Sequence, residues 1–202
     1  METGGAKQRI LDRAYCAASQ YGLENLTIGS LASDLGMSKA GVHGHFGSKE
    51  ALQLATIRHA LSVSQRDVVA PSDRAPDGLP RLWALCVGLT SYHEEIGLHG
   101  GDFWVTVANE YDSRSGPVRD TVEAIMSRWM RRLEDLISAA VRLGQLTPCD
   151  PAQLAFEIQA LLDAGGHQGW LYHDPKAPAR ARAAIHRRLD ELRTPDAPDL
   201  TE

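Results

Sequence analysis

Residues 27–46, TIGSLASDLGMSKAGVHGHF, decide how the chain is read. Thr27 and Ser38 are good helix N-caps, each standing just before a run with helical spacing of apolar residues. Gly36 separates the two runs, so the stretch reads as two short helices, about Ile28 to Leu35 and Lys39 to Phe46, joined by a tight turn at Leu35-Gly36-Met37. Ile28, Leu31 and Leu35 would face inward from the first helix, and Val42 and Phe46, one turn apart, from the second. Small Ala32 stands where the two helices would meet closely. Two short helices joined by a three- to four-residue turn with glycine make the helix-turn-helix pattern. In that unit the second helix enters the major groove of DNA and presents its N-terminal residues to base edges.

With Val42 and Phe46 inward, the free face of the second helix holds Lys39, Ala40, His43 and Gly44. Lys39 has the reach for a phosphate or a guanine edge. Thr27 and Ser38 mark helix starts, where free N–H groups attract phosphate. Lys49, at the start of the following helix, is a third candidate for the DNA backbone, and Gly41 and His45 complete the candidate set. Gly41 and Gly44 each weaken an isolated helix by about 1 kcal/mol relative to alanine. Neither has a side chain to read a base, so phosphate contacts and operator shape are expected to carry much of the discrimination.

Outward from this stretch the periodicity stays helical. Ile10, Ala14, Ala17 and Tyr21 mark a leading helix that Gly22 ends, and Ser48 caps a helix from about Lys49 to Val69. Pro71 to Pro80 reads as a linker. Leu82, Leu85, Leu89, Tyr92 and Ile96 form the next helical face, with Gly97, Gly100 and Gly101 as a turn. Phe103 to Tyr111 is a short apolar segment that reads as helix. Gly116-Pro117 opens the longest helix, closed by Gly144. Asp150-Pro151 is a capping acid followed by proline at the first helical position, and the last helix runs from about Pro178 to Leu192. The expectation is an all-α chain of about nine helices. Residues 1–50 form the helix-turn-helix domain, with a connector to about 69. Residues 70–194 form a second helical domain, and a Pro/Asp-rich tail, 195–202, is expected to be disordered.

The chain has 202 residues, 43% hydrophobic and 23% charged, as in an ordinary globular protein. Its three cysteines, Cys16, Cys86 and Cys149, are odd in number and widely spaced, which excludes a disulfide framework and favours the cytoplasm. No apolar run has the length of a membrane span, and the first residues do not form a signal peptide. The net charge of −5 is uneven: residues 1–60 carry six basic and five acidic side chains, and the remainder fifteen and twenty-one. The acidic balance therefore belongs to the second domain.

The segment from Lys7 to about Ala60 resembles the DNA-binding domain of TetR-family transcriptional regulators. The resemblance is carried by the leading helix, Thr27-Ile28, Leu31-Ala32, Leu35-Gly36-Met37-Ser38-Lys39, His45-Phe46, Ser48-Lys49-Glu50 and Leu52. It covers about a quarter of the chain. It implies a homodimeric regulator, most often a repressor, that binds a palindromic operator in double-stranded DNA and is released by a small-molecule effector. Two positions depart from the family pattern: His43 stands where tyrosine is usual, and Gly41 where a larger polar residue is usual.

The resemblance also implies an effector pocket among the middle helices, and apolar pockets between helices with a few polar groups are the general form. Candidate lining residues are Trp83, Cys86, Tyr92, His93 and Phe103, with Trp104, Val107, Met126, Trp129 and His167. A plain core role competes at each aromatic position, and a structural hydrogen bond at each histidine. The resemblance places the last two helices in a dimer bundle. Ala164-Gly165-Gly166-His167-Gln168-Gly169 lies in the first of them, and three glycines in a helix suggest close approach of another helix, room for a ligand, or a break. Leu161, Leu162, Gly165, Gly169, Ile185 and Leu189 are the expected interface residues.

No catalytic signature is present: GxSxG, the Walker lysine loop, HExxH and GxGxxG are all missing. No cofactor is implied, and no metal site is assigned; His43 and His45 point to different sides of a helix, and His93, His99 and Asp102 lie across a glycine turn. Cys149, near a helix start, is the one thiol placed for a lowered pKa. The competing reading is a helical-bundle ligand carrier or enzyme whose N-terminal unit only packs.

Overall fold

A computed structural model describes residues 5–96 and 101–200. Among the described residues there is no strand, and nine helices exceed one turn: α1 (Ala6–Tyr21), α2 (Ile28–Asp34), α3 (Lys39–Phe46), α4 (Lys49–Ser64), α5 (Leu79–Ile96), α6 (Phe103–Tyr111), α7 (Pro117–Arg142), α8 (Pro151–Leu171) and α9 (Ala177–Leu192). The expected turn residues Gly97 and Gly100, and His99, lie outside the described residues, as does the side chain of Ile96. α4 runs on through a π-helical turn, Gln65–Val69, into a single helical turn, Ala70–Ser72. The linker is thus shorter than expected.

The helix starts follow capping chemistry. Thr27 forms a capping box with Ser30, and the Ser38 hydroxyl accepts the Gly41 N–H. Asp102 accepts from Trp104 and Val105, so this carboxylate caps α6, and Asp150 caps α8 in the same way ahead of Pro151. α1 ends at Gly22, whose φ of 82° lies in the left-handed region.

The chain divides into two compact units: residues 1–63 with 100–124, and residues 64–99 with 125–202. This division differs from the expected boundary near residue 70, because α6 packs on α1 rather than with the helices before and after it. The first unit buries Ile10, Ala14, Leu23, Leu31, Val42, Leu52, Ile57, Phe103 and Val107. Ile28, Leu35 and Phe46 are only half-buried. In the second unit Leu82, Trp83, Cys86, Leu133, Ile137, Leu154, Ile158, Leu162, Ile185 and Leu189 form one core.

The expected disordered tail is packed as far as residue 200. Thr147 N–H donates to Leu192 O (2.8 Å) and Thr194 N–H to Gln145 O (3.2 Å). Arg193 reaches Asp199 at 2.7 Å, and Ala197 and Leu200 lie against the core. Proline and aspartate content signals the lack of a helix here; pairing of residues 192–194 with 145–147 anchors the start of the tail, and the Ala197 N–H bond to Thr194 O and the packing of Ala197 and Leu200 order the rest.

Candidate nucleic-acid interface

α2 and α3 pack through Leu31, Ala32 and Val42, and Met37 N–H donates to Ala32 O across the turn. This leaves Lys39, Ala40, His43, Gly44 and His45 exposed and Gly41 half-buried. The Lys39 side chain lies across the start of α2, where a Cβ on Gly29 would come within 3.3 Å of Lys39 Cε. A larger residue at 29 would push the lysine aside. A Cβ on Gly41 would meet the Ser38 hydroxyl at 3.1 Å, whereas one on Gly44 would meet nothing within 4 Å. Phe46 is half-buried under Lys7, whose ammonium stands 5.8 Å from the ring centroid.

The remaining DNA candidates have intramolecular roles as well. Thr27 and Ser38 are exposed caps. Lys49 is exposed and paired: its ammonium donates to Glu24 O (2.6 Å) and Glu24 Oε2 (2.9 Å). Its ammonium thus already has a partner within the unit, beside the phosphate contact expected of it. Arg13 is likewise paired with Asp34 at 2.6 Å, tying α1 to α2. The paired cations leave Lys39 as the basic side chain of α3 itself.

The effector candidates do not form one group. Phe103 and Val107 are core of the first unit, Phe103 stacked on Tyr15 at 5.4 Å and Trp104 set edge-on to it. In the second unit Trp83 and Cys86 are core, with the Trp83 ring edge-on to His186, and burial pushes the Cys86 thiol up to about 12. Tyr92 and Trp129 are half-buried, the Trp129 indole N–H donating to Gln159 Oε1 (2.6 Å), and Met126 is half-buried. His93 is buried and His167 exposed. A cleft of about 400 Å³ in this unit is lined by Val68, Pro71, Pro76, Trp83, Val87 and Asp199 among others, and Trp83 alone of the candidates borders it.

The interface candidates are corrected in part. Leu162, Gly165, Ile185 and Leu189 are buried within the chain, and Leu161 is half-buried against the same core. The four buried residues have almost no accessible surface to offer a second copy, whereas Leu161 keeps part of its own. The glycines do permit close helix packing, but inside the chain: a Cβ on Gly165 would stand 2.7 Å from the Ala181 Cβ of α9. Gly169 faces Pro178, and Gly166 faces the His93 ring, 3.2 Å from a Cβ placed there. Burial raises the Cys149 thiol pKa, the opposite of what a reactive thiol needs. Among the described residues no three metal-ligating side chains converge, and no helix is long and apolar enough to cross a membrane.

Residues 10–56 match the family model for bacterial regulatory proteins of the tetR family, and residues 78–185 match the tetracyclin repressor-like C-terminal domain. The chain belongs to the TetR family. An Agrobacterium fabrum relative, the HTH-type transcriptional regulator BetI, is 31% identical over 157 residues, covering 78% of this chain and 73% of its own. A TetR transcriptional regulator from Chloroflexus aurantiacus shares the fold with a TM-score of 0.84 at 21% identity, over 93% of this chain and 95% of that one. AibR, solved with isovaleryl coenzyme A and operator DNA, shares it with a TM-score of 0.68 at 19% identity, over 92% and 96%. This TetR-family chain is a DNA-binding transcriptional regulator and not an enzyme.

Sequence reasoning missed Glu24, Gln53, Glu110 and Tyr111. Tyr111 O–H donates to Glu24 Oε1 at 2.7 Å, 87 residues away in sequence, and no local pattern signals such a pair.

Proposed function

We propose that α3 is the operator-reading helix, with Lys39 and His43 contacting phosphate or base edges and Ala40, Gly41 and Gly44 giving a low surface that lets it sit deep in the groove. The observation that carries this is the exposed face Lys39-Ala40-His43-Gly44, held by Val42 below it. Thr27, Ser38 and His45 flank that face, and the chain acts in the cytoplasm, where the operator lies. The test is fluorescence anisotropy on a duplex selected from random sequence by the full-length protein. Lys39→Ala with His43→Ala is expected to abolish the preference for that duplex over a scrambled one; an unchanged preference refutes the assignment.

The protein acts as a homodimer and is released by a small molecule that favours a different spacing of the two α3 helices, roughly 34–36 Å being the spacing for DNA. The proposed dimer face is the outer side of α8, where Phe156 is 62% exposed and Leu171 53%, with Ala160 and His167 between them on the same side. An exposed apolar stripe of this kind is what a partner covers. Phe156→Glu with Leu171→Glu is expected to give a monomer in analytical ultracentrifugation. The effector reading rests on the aromatic residues of the second unit, Trp83, Tyr92 and Trp129. Trp129→Ala is expected to shift the concentration of an active effector needed for operator release.

A further inference from the structure

The C-terminal end of α6 is bonded to the loop between α1 and α2. Glu110 Oε2 accepts the Leu23 N–H at 2.7 Å, and its Oε1 accepts the Glu24 N–H at 3.1 Å. Next to it, Tyr111 O–H donates to Glu24 Oε1 at 2.7 Å. Gln53 of α4 donates to Leu23 O (2.9 Å) and Tyr111 Oη (3.2 Å) from a buried position. Lys49 holds the other side of Glu24 through its carboxylate and its carbonyl. Arg114 lies over the Tyr111 ring, 5.2 Å from its centroid, with its guanidinium 3.5 Å from Glu24.

The loop is shaped for this contact. Gly22 has φ 82°, and a Cβ there would stand 2.5 Å from Glu110 Oε1. Leu23 is fully buried, and Leu26 follows it into the core. Thr27 comes next and caps α2, against which α3 packs. Two carboxylates, two backbone amides, a phenol, an amide and an ammonium therefore fix the start of α2 to α6. The Tyr111 hydrogen bond first, and Lys49 next, hold the Glu24 carboxyl down to about 2, so Glu24 stays ionised throughout the neutral range.

We propose that Glu110 and Tyr111 are positioning residues for operator binding: they set the α1–α2 loop, and through it the presentation of α2 and α3, although they lie outside the helix-turn-helix sequence. Neither needs to touch DNA. Hydrogen bonds to a charged group are stronger than neutral ones, so losing one leaves the loop free to shift. A displacement of the recognition helix costs specific contacts more than general phosphate attraction.

The proposal rests on the operator-binding role of α3, and the wild-type protein separates the two. If wild-type protein fails to prefer its selected duplex over a scrambled one of equal length, the DNA-reading assignment fails and not this one alone. Given that preference, Glu110→Gln and Tyr111→Phe are measured on both duplexes, well below their melting temperatures. The expected result is a loss of about tenfold in operator affinity, with scrambled-duplex affinity within twofold of wild type. A purely structural role lowers the melting temperature and leaves both affinities of the folded protein alone, and that outcome overturns the proposal. Should Glu110→Gln fail to fold, Tyr111→Phe, which removes one oxygen, carries the test. A double-mutant cycle of Tyr111→Phe with Glu24→Gln adds a second readout: operator-affinity losses that are less than additive are expected, and strictly additive losses count against the pair acting together.

Discussion

Glycines in α3 and glycines in α8 look alike in the sequence and serve opposite ends. On α3, Gly44 faces open space, with nothing within 4 Å of a Cβ built on it. On α8, Gly165 has no room at all: its Cβ would overlap Ala181 of α9 at 2.7 Å. Each costs about 1 kcal/mol of helix propensity relative to alanine. In α8 that cost is offset inside the chain by close packing of two helices around the core of Ile158, Leu162 and Ile185. At Gly44 no neighbour among the described residues offsets it, which suits a surface meant for a partner. A glycine within a helix is thus ambiguous until its neighbours are known.

The largest expected effect is at the packed end of this comparison. Gly165→Leu would force α8 from α9 and is expected to destabilise the protein by about 3 kcal/mol, measured by denaturant unfolding. A loss below about 1 kcal/mol would mean that the α8–α9 contact is loose and the contrast with α3 is overstated. Lys39→Ala is expected to weaken operator binding several-fold and to lower the slope of log affinity against log salt by about one, the share of one phosphate contact. Lys49→Ala should leave that slope unchanged, because its ammonium is bound to Glu24.

Gly44→Ala adds a methyl group to the open face of α3. It is expected to raise stability by up to about 1 kcal/mol while lowering operator affinity. An affinity that does not move would make Gly44 merely idle. The smallest effect concerns acid. Glu24 is depressed from an ordinary 4.5 to about 2, so its stabilisation is complete above about 4.5 and is lost as the pH falls from there towards 2. Glu24→Gln should flatten the acid limb of thermal stability between those values and leave its slope near neutrality unchanged.

The helix-turn-helix was legible because its determinants are local. Thr27, Ser38 and Gly36 act on residues three or four positions away, and the inward spacing of Leu31 and Val42 follows from helix geometry alone. Capping likewise marked α8 at Asp150-Pro151. Most of the dimer and effector candidates rest on apolar character on a helix face, and Gly165 and Gly169 on the close approach that glycine permits. The apolar signal is the same for a residue buried under its own chain and one that is exposed, so it does not separate buried Ile185 and Leu189 from exposed Phe156 and Leu171. Lys49 shows the same limit: a lysine at a helix start is a sound phosphate candidate, and its pairing with Glu24 arises only on folding.

By itself the sequence determined the all-helical class, the helix boundaries near each cap and the exposed face of α3, since these depend on bonds and periodicities that span a few residues. Only the tertiary structure decided that α6 joins the first unit, that Glu110 and Tyr111 grip the α1–α2 loop, that residues 195–200 are packed, and that the α8 glycines serve a contact within the chain. Each of these brings together groups far apart in sequence, and a pairing across 86 or 87 residues is set by how whole helices pack rather than by any neighbouring residue.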